Sequence, residues 1–157
     1  MDESRQPFDY ATGAGIAILF AIGVWGYVTL PPRIPTHFNL AGQATSWGSS
    51  WTVLALPLSG ALVALLLWVV PKFQIRPNLP FRVPEDRQDA VNALARQMTT
   101  ALSVVIVSFF IPLELELIAG ARNAPLSLLI LPTVFAMLVA TLWCAGLYII
   151  RMYRASH

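Results

Sequence analysis

Four long apolar runs, separated by polar segments, constrain the fold of this chain more than any other feature. They cover residues 11–30, 51–70, 98–119 and 126–150. A helix of about 20 residues is roughly 30 Å long, which is the thickness of the hydrocarbon core of a bilayer. Prolines follow the first two runs, at Pro31 and Pro71. The pattern predicts an all-α membrane protein, with residues 1–157 forming one domain around a bundle of four transmembrane helices.

The scarcity of charge excludes a water-soluble fold. The chain is 57% hydrophobic and 11% charged, with a mean hydropathy of +0.66, whereas soluble domains are about 25% charged. The net charge of +2 is small and spread along the chain, so no nucleic-acid partner is predicted. A single cysteine, Cys144, excludes an internal disulfide and a cysteine-rich metal site. We therefore expect a lipid bilayer around the chain and no cofactor.

The basic residues are distributed unevenly over the segments between the runs. If the N-terminus lies inside the cell, only Arg33 and Arg122 of the ten Lys and Arg residues lie outside. Because cytoplasmic loops are enriched in Lys and Arg, we expect both termini and the connection at 71–97 to be cytosolic. The loop at 31–50 then lies on the extracytoplasmic side of a bacterial plasma membrane.

The cytosolic connection has two parts of different character. Prolines recur every few residues up to Pro84, and they exclude a regular helix there. Residues 85–97 contain neither Pro nor Gly, and Glu85 and Asp86 favour a helix N-terminus. We expect a short amphipathic helix that continues into the third span.

Small residues recur every fourth position in three of the apolar runs. Such smooth faces allow two helices to approach closely, within one protein or between partners. We therefore expect helix contacts on these faces, and the oligomeric state stays open. The faces are Gly13, Ala17 and Ala21 in the first run, Gly60 and Ala64 in the second, and Ala136, Ala140 and Cys144 in the fourth.

The loop at 31–50 is the one long polar segment with an unusual residue set, and we expect it to be ordered. Pro35 favours an extended path, while Gly42 and Gly48 permit positive φ. Phe38 and Trp47 are interpreted as interfacial anchors. The sequence of the loop therefore predicts an ordered surface at the outer ends of the helices.

Two carboxylates, Glu114 and Glu116, lie in the third apolar run, where a charge is costly and suggests function. They are two residues apart, so at most one can face the bundle unless Pro112 distorts the helix. Either they reach water at the interface, or they form a polar site under the outer loop. With His37 they offer the ligand types of a divalent metal site. His37 could instead fix the loop by a hydrogen bond, or recognise a ligand or partner.

The signature of the outer loop resembles that of the SdpI-like bacterial immunity proteins and of a related membrane domain of unknown function. That resemblance implies one membrane span on each side of the loop, further spans after them, and protection of the cell from a secreted toxic peptide. Thr45 stands where the family usually has an acidic residue, and Ser50 where it often has Lys. The matching residues are Pro32, Ile34, Pro35, His37, Phe38, Asn39, Gly42, Trp47, Gly48 and Pro71.

Three functions are compatible with these features. The first is a non-enzymatic, SdpI-like membrane protein that recognises a peptide or a membrane-protein partner through its outer loop, for immunity or signalling. The second is an accessory subunit of a larger membrane complex, such as a lipid transporter, which fits the mass of 17.2 kDa. The third is a metal-dependent membrane enzyme that uses His37, Glu114 and Glu116.

Overall fold

The described parts of the four predicted spans are helical in a computed structural model, which describes residues 6–39, 43–73, 77–122 and 130–157. Four helices are long and apolar enough to cross a membrane. The chain is therefore a multi-pass membrane protein. The α-helices are α1 (Gln6–Thr29), α2 (Ala55–Val69), α3 (Gln88–Ala121) and α4 (Ile130–Ala155).

Prolines set the limits of α1 and α2. Pro31 and Pro32 follow α1 and cannot extend it. A 3-10 helix, Ser50–Leu54, leads into α2, and Pro57 lies in the first turn of α2. The missing N–H of a proline costs least there, because first-turn N–H groups have no intrahelical partner. A second 3-10 helix, Val70–Phe73, contains Pro71 and follows α2.

Helix α3 is one continuous helix of 34 residues, preceded by a 3-10 turn at Glu85–Arg87. At 1.5 Å per residue it is about 50 Å long, which exceeds the hydrocarbon core of a bilayer. The predicted amphipathic helix does continue into the third span, and Pro112 lies within it without ending it. Helix α3 therefore carries its apolar part inside the membrane and its first turns beyond it.

The bundle is arranged around α3, which packs against each of the other three helices. A buried hydrogen bond of 2.8 Å joins Thr12 Oγ1 of α1 to Ser103 Oγ of α3. Within a bilayer such polar contacts between helices add to van der Waals packing, because lipid gives no hydrophobic drive for association. Helix α3 is thus the element that holds the others in place.

The packed face of α1 is not the face that the sequence predicts. Gly13, Ala17 and Ala21 are all exposed, and a Cβ added at Gly13 would meet no atom within 4 Å. The small-residue face of α1 is therefore not its packed face among the described residues, and contact of this face with a partner stays a prediction. The prediction for α2 is confirmed, because Gly60 and Ala64 are buried. The buried α1 residues are Thr12, Leu19, Gly23 and Gly26.

Helix α4 lies at the edge of the bundle, against α3. Only 6% of the residues in its most apolar 18-residue stretch are buried. Leu142 and Trp143 are 72% and 69% exposed, as expected for side chains that face lipid. Of the predicted small-residue face, Ala136 is exposed, while Ala140 and Cys144 are half-buried.

The segment between α1 and α2 forms a β-hairpin, which the sequence predicts only as an ordered loop. Strands β1 (Arg33–Phe38) and β2 (Ala44–Ser49) pair antiparallel, with Arg33 opposite Ser49 and Pro35 opposite Trp47. The register shifts on both sides of His37. Pro35 is compatible with β1 because a strand of a two-stranded sheet has a free edge.

Close contact between α1 and α2 depends on Gly23. A Cβ at this position would lie 2.6 Å from Cγ of Pro57 and 3.4 Å from Oε1 of Glu114. The Pro57 ring is rigid and cannot move aside without shifting α2. Gly23 therefore sets the distance between the two helices.

We expect Gly23→Ala to lower the stability of the folded protein by about 1–3 kcal/mol, the usual cost of overpacking a tight contact. Thermal unfolding in a mild detergent measures this change. Gly146→Ala is the matched control, because a Cβ at Gly146 of α4 would meet no atom within 4 Å. Equal unfolding temperatures for the two variants would contradict this account of Gly23.

Candidate functional site

The base of the hairpin is fixed to the end of the bundle. Ile34 is 1% exposed and lies in an apolar cluster with Leu30, Val53, Ile118 and Ala121. Ser50 N donates a 3.0 Å hydrogen bond to Pro32 O, which closes the hairpin where the 3-10 helix before α2 begins. The hairpin is therefore held by side chains just after α1, in that 3-10 helix and near the end of α3.

Asn39 organises the turn of the hairpin. Its backbone N donates to Gln43 O at 2.9 Å, and its side-chain Oδ1 accepts from Gln43 N at 2.9 Å. Its Nδ2 donates to Gln43 Oε1 at 3.0 Å. This closed set of bonds indicates a structural role for Asn39. Gly42, which was predicted as a backbone device in the same turn, lies outside the described residues.

Gly48 is needed for space and not for an unusual backbone angle. Its φ lies outside the left-handed region, so the expectation of a positive φ is wrong. A Cβ at Gly48 would lie 2.8 Å from Cγ2 of Thr36 on the facing strand. Glycine thus allows β1 and β2 to pack closely beside Trp47.

The outward surface of the hairpin carries His37 and Trp47. His37 is exposed and lies opposite Ser46, and Trp47 is 48% exposed. Phe38 is half-buried opposite Ala44. Within the described ranges His37 has no hydrogen bond to a carboxylate or a carbonyl, so its side chain is available at the surface.

Glu114 is the most unusual side chain of the bundle. It is 0% exposed, and neither carboxylate oxygen has a hydrogen-bond partner among the described residues. Its Oε1 lies near the backbone of Gly23, where Pro57 and Leu54 also approach. A buried polar group without a partner costs about 1–3 kcal/mol. The interpretation of Glu114 as a carboxylate that reaches water is wrong.

Glu116 faces another direction and is only half-buried. The prediction that at most one of the two carboxylates faces the bundle is confirmed, because α3 stays helical through Pro112. Ile118, one turn beyond Glu114, packs under Ile34 in the apolar cluster. Apolar side chains therefore separate Glu114 from the hairpin surface.

The predicted metal ligands do not come together. His37 lies exposed on the hairpin, Glu114 is enclosed between helices, and Glu116 is half-buried. In the described part of the chain, no group of three His, Cys, Asp or Glu side chains could hold a metal ion. The arrangement gives no support to metal chemistry with these three residues.

Arg122 ties two helix ends together at the hairpin end of the bundle. Its Nη2 donates a 2.8 Å hydrogen bond to Thr29 Oγ1, and its guanidinium lies 4.5 Å from the ring centroid of Trp25. Such a contact between a cation and an aromatic ring is worth about 0.5–1 kcal/mol at exposed sites. No feature of the sequence indicates that Trp25, Thr29 and Arg122 are in contact.

The part of the chain that matches a known family includes the hairpin but not Glu114. Residues 14–60 match a family described as a domain of unknown function (DUF1648). No curated protein and no solved structure matches the chain significantly. The matched part holds most of α1, the hairpin and the start of α2. The chain is thus similar to a membrane domain of unknown function over these residues.

We expect Glu114→Met to raise the unfolding temperature in detergent. Methionine has nearly the same shape as glutamate. It has no carboxylate, so the cost of burying a polar group without a partner, about 1–3 kcal/mol, is removed. Glu116→Met is the control, because Glu116 is half-buried and should respond less. A lower unfolding temperature for Glu114→Met alone would show that the carboxylate stabilises the fold.

Proposed function

We propose that this protein is not an enzyme and that it recognises a peptide or a membrane-protein partner through the β-hairpin. The observation that carries the proposal is an anchored hairpin with an exposed outer strand. Ile34 fixes β1 to the bundle, and five of the six residues of β2 are exposed. A rigid, exposed strand loses little conformational entropy on binding.

The hairpin offers both main-chain and side-chain contacts. Among the described residues β2 pairs with β1 alone, so its other edge can accept an extended peptide as a third strand. Trp47 and Trp51 are 48% and 60% exposed and lie at the same end of the protein. Exposed tryptophans are frequent anchors of binding energy at protein interfaces. These features favour a peptide in extended conformation.

The SdpI-like resemblance suggests what such a peptide does. In that family, immunity means protection from a secreted toxic peptide, and an extracytoplasmic hairpin would meet the peptide before it enters the bilayer. Thr45, which is exposed on β2, replaces the usual acidic residue, so this hairpin would bind with a less acidic surface. Recognition would then depend on β2 and the tryptophans.

We expect expression of the protein to protect a sensitive bacterial strain from a secreted toxic peptide. Trp47→Ala should reduce protection at least tenfold, because truncation of a central aromatic anchor costs about 2 kcal/mol or more. Survival at increasing peptide concentration measures this effect. Trp143→Ala is the matched control, since Trp143 faces lipid on α4 and is 69% exposed. Equal protection by both variants would refute the role of the hairpin.

The side of the membrane on which the hairpin lies is tested separately. We expect a membrane-impermeant thiol reagent to label Thr45→Cys in intact cells, in a background where Cys144 is replaced by Ala. Asp89→Cys, at an exposed position near the start of α3, should be labelled only after lysis. The reverse pattern would place the hairpin in the cytosol.

An accessory subunit remains the alternative, because the described part of the chain has little structure outside the bundle and the small hairpin. Purification in a gentle detergent distinguishes the two proposals. A large membrane protein in fixed stoichiometry would favour the subunit. If the purified chain still protects from the peptide after reconstitution without other proteins, the result would favour recognition by the hairpin.

A further inference from the structure

A groove runs between α1 and α2 at the end of the bundle opposite the hairpin, and neither strand contributes to it. Its volume is about 350 Å³, which lies in the usual range for small-molecule sites. The groove is open to the surroundings of the helices and is mainly apolar. Its lining includes Asp9, Tyr10, Gly13, Ile16, Leu65 and Trp68.

A carboxylate lies at the polar end of this groove. Oδ1 of Asp9 is buried and has no hydrogen-bond partner among the described residues. An acceptor that is removed from water without a donor is unfavourable, so a donor from outside the chain would stabilise it. Asp9 therefore points to a ligand that brings an N–H or O–H group.

The groove has a polar end and an apolar part, as a lipid molecule has a head group and an acyl chain. Tyr10 and Trp68 lie at its carboxylate end, where aromatic side chains favour the interfacial region. Ile16 and Leu65 lie deeper along the two helices, and Ile16 is seven positions after Asp9, which is about 10 Å along the helix axis. A head group would meet Asp9, while an acyl chain would lie beside Ile16 and Leu65.

We propose that the groove binds a phospholipid with a primary ammonium head group, of the phosphatidylethanolamine type. The ammonium complements the charge of Asp9 and can donate to Oδ1. A trimethylammonium group carries the same charge but has no N–H to donate. An anionic lipid such as phosphatidylglycerol lacks the cation. The acyl chain fits because the deeper wall is apolar.

Gly13 gives a way to close the groove without disturbing the bundle. A Cβ at Gly13 would meet no atom within 4 Å, although Gly13 lines the groove. A leucine there would fill the groove and also favours the helix over glycine. Gly146→Leu on α4 is the matched control, because Gly146 also has open space around its Cβ position.

The test uses the full chain in nanodiscs of phosphatidylcholine with a minor share of phosphatidylethanolamine or phosphatidylglycerol. Native mass spectrometry after release measures which lipid stays bound. We expect phosphatidylethanolamine to be retained on the order of tenfold over phosphatidylcholine. Asp9→Asn should lose this preference, and Gly13→Leu should lose the bound lipid, while Gly146→Leu behaves as the parent chain.

Two results would overturn the proposal. One is equal retention of the three lipids by the parent chain, which would mean that the groove holds bulk lipid without selection. The other is unchanged retention in Gly13→Leu, which would place the lipid elsewhere on the bundle. Unfolding temperatures of all variants, measured in the same nanodiscs, identify any variant that loses lipid because it is misfolded.

Discussion

The structure depends on the close approach of α1 to α2 and α3, which glycines of α1 allow. In a bilayer, apolar side chains gain nothing by leaving lipid, so helices associate where their backbones can come near each other. A Cβ at Gly23 would collide with Pro57, and one at Gly26 would lie 2.6 Å from Cδ1 of Ile118. The same layer places Ile118 under Ile34. The position of the hairpin thus follows from how closely the helices pack below it.

The helices could be predicted from the sequence, but their packed faces could not. Length and hydropathy are sufficient for spans, because the thickness of the bilayer fixes the number of residues needed. They do not separate a face toward lipid from a face toward a neighbouring helix, since both are apolar. Gly13 and Gly23 are both glycines of α1, yet only Gly23 is packed. The sequence predicts an ordered loop but not a hairpin, because Pro35 favours an extended path without showing which residues pair with it.

Glu114 shows where prediction from the sequence ends in the candidate site. The spacing of Glu114 and Glu116 allows at most one of them to face the bundle, and helical geometry is enough for that conclusion. Which one is enclosed depends on the rotation of α3 about its axis, and that rotation follows from the packing of α3 against α1, α2 and α4. His37 is a similar case, because its distance from both carboxylates depends on how the hairpin sits on Ile34. Tertiary contacts decide these points.

The two carboxylates with unsatisfied oxygens differ in how a ligand could reach them. Glu114 is 0% exposed, beneath the apolar cluster that carries the hairpin. It is enclosed where Gly23, Leu54 and Pro57 approach, so no ligand reaches it in this arrangement of the helices. Asp9 lies in a groove that is already open to the side, so a lipid can enter without a change in helix packing. A lipid at Asp9 would therefore follow the composition of the surrounding membrane, whereas the packed helices close Glu114 off from it.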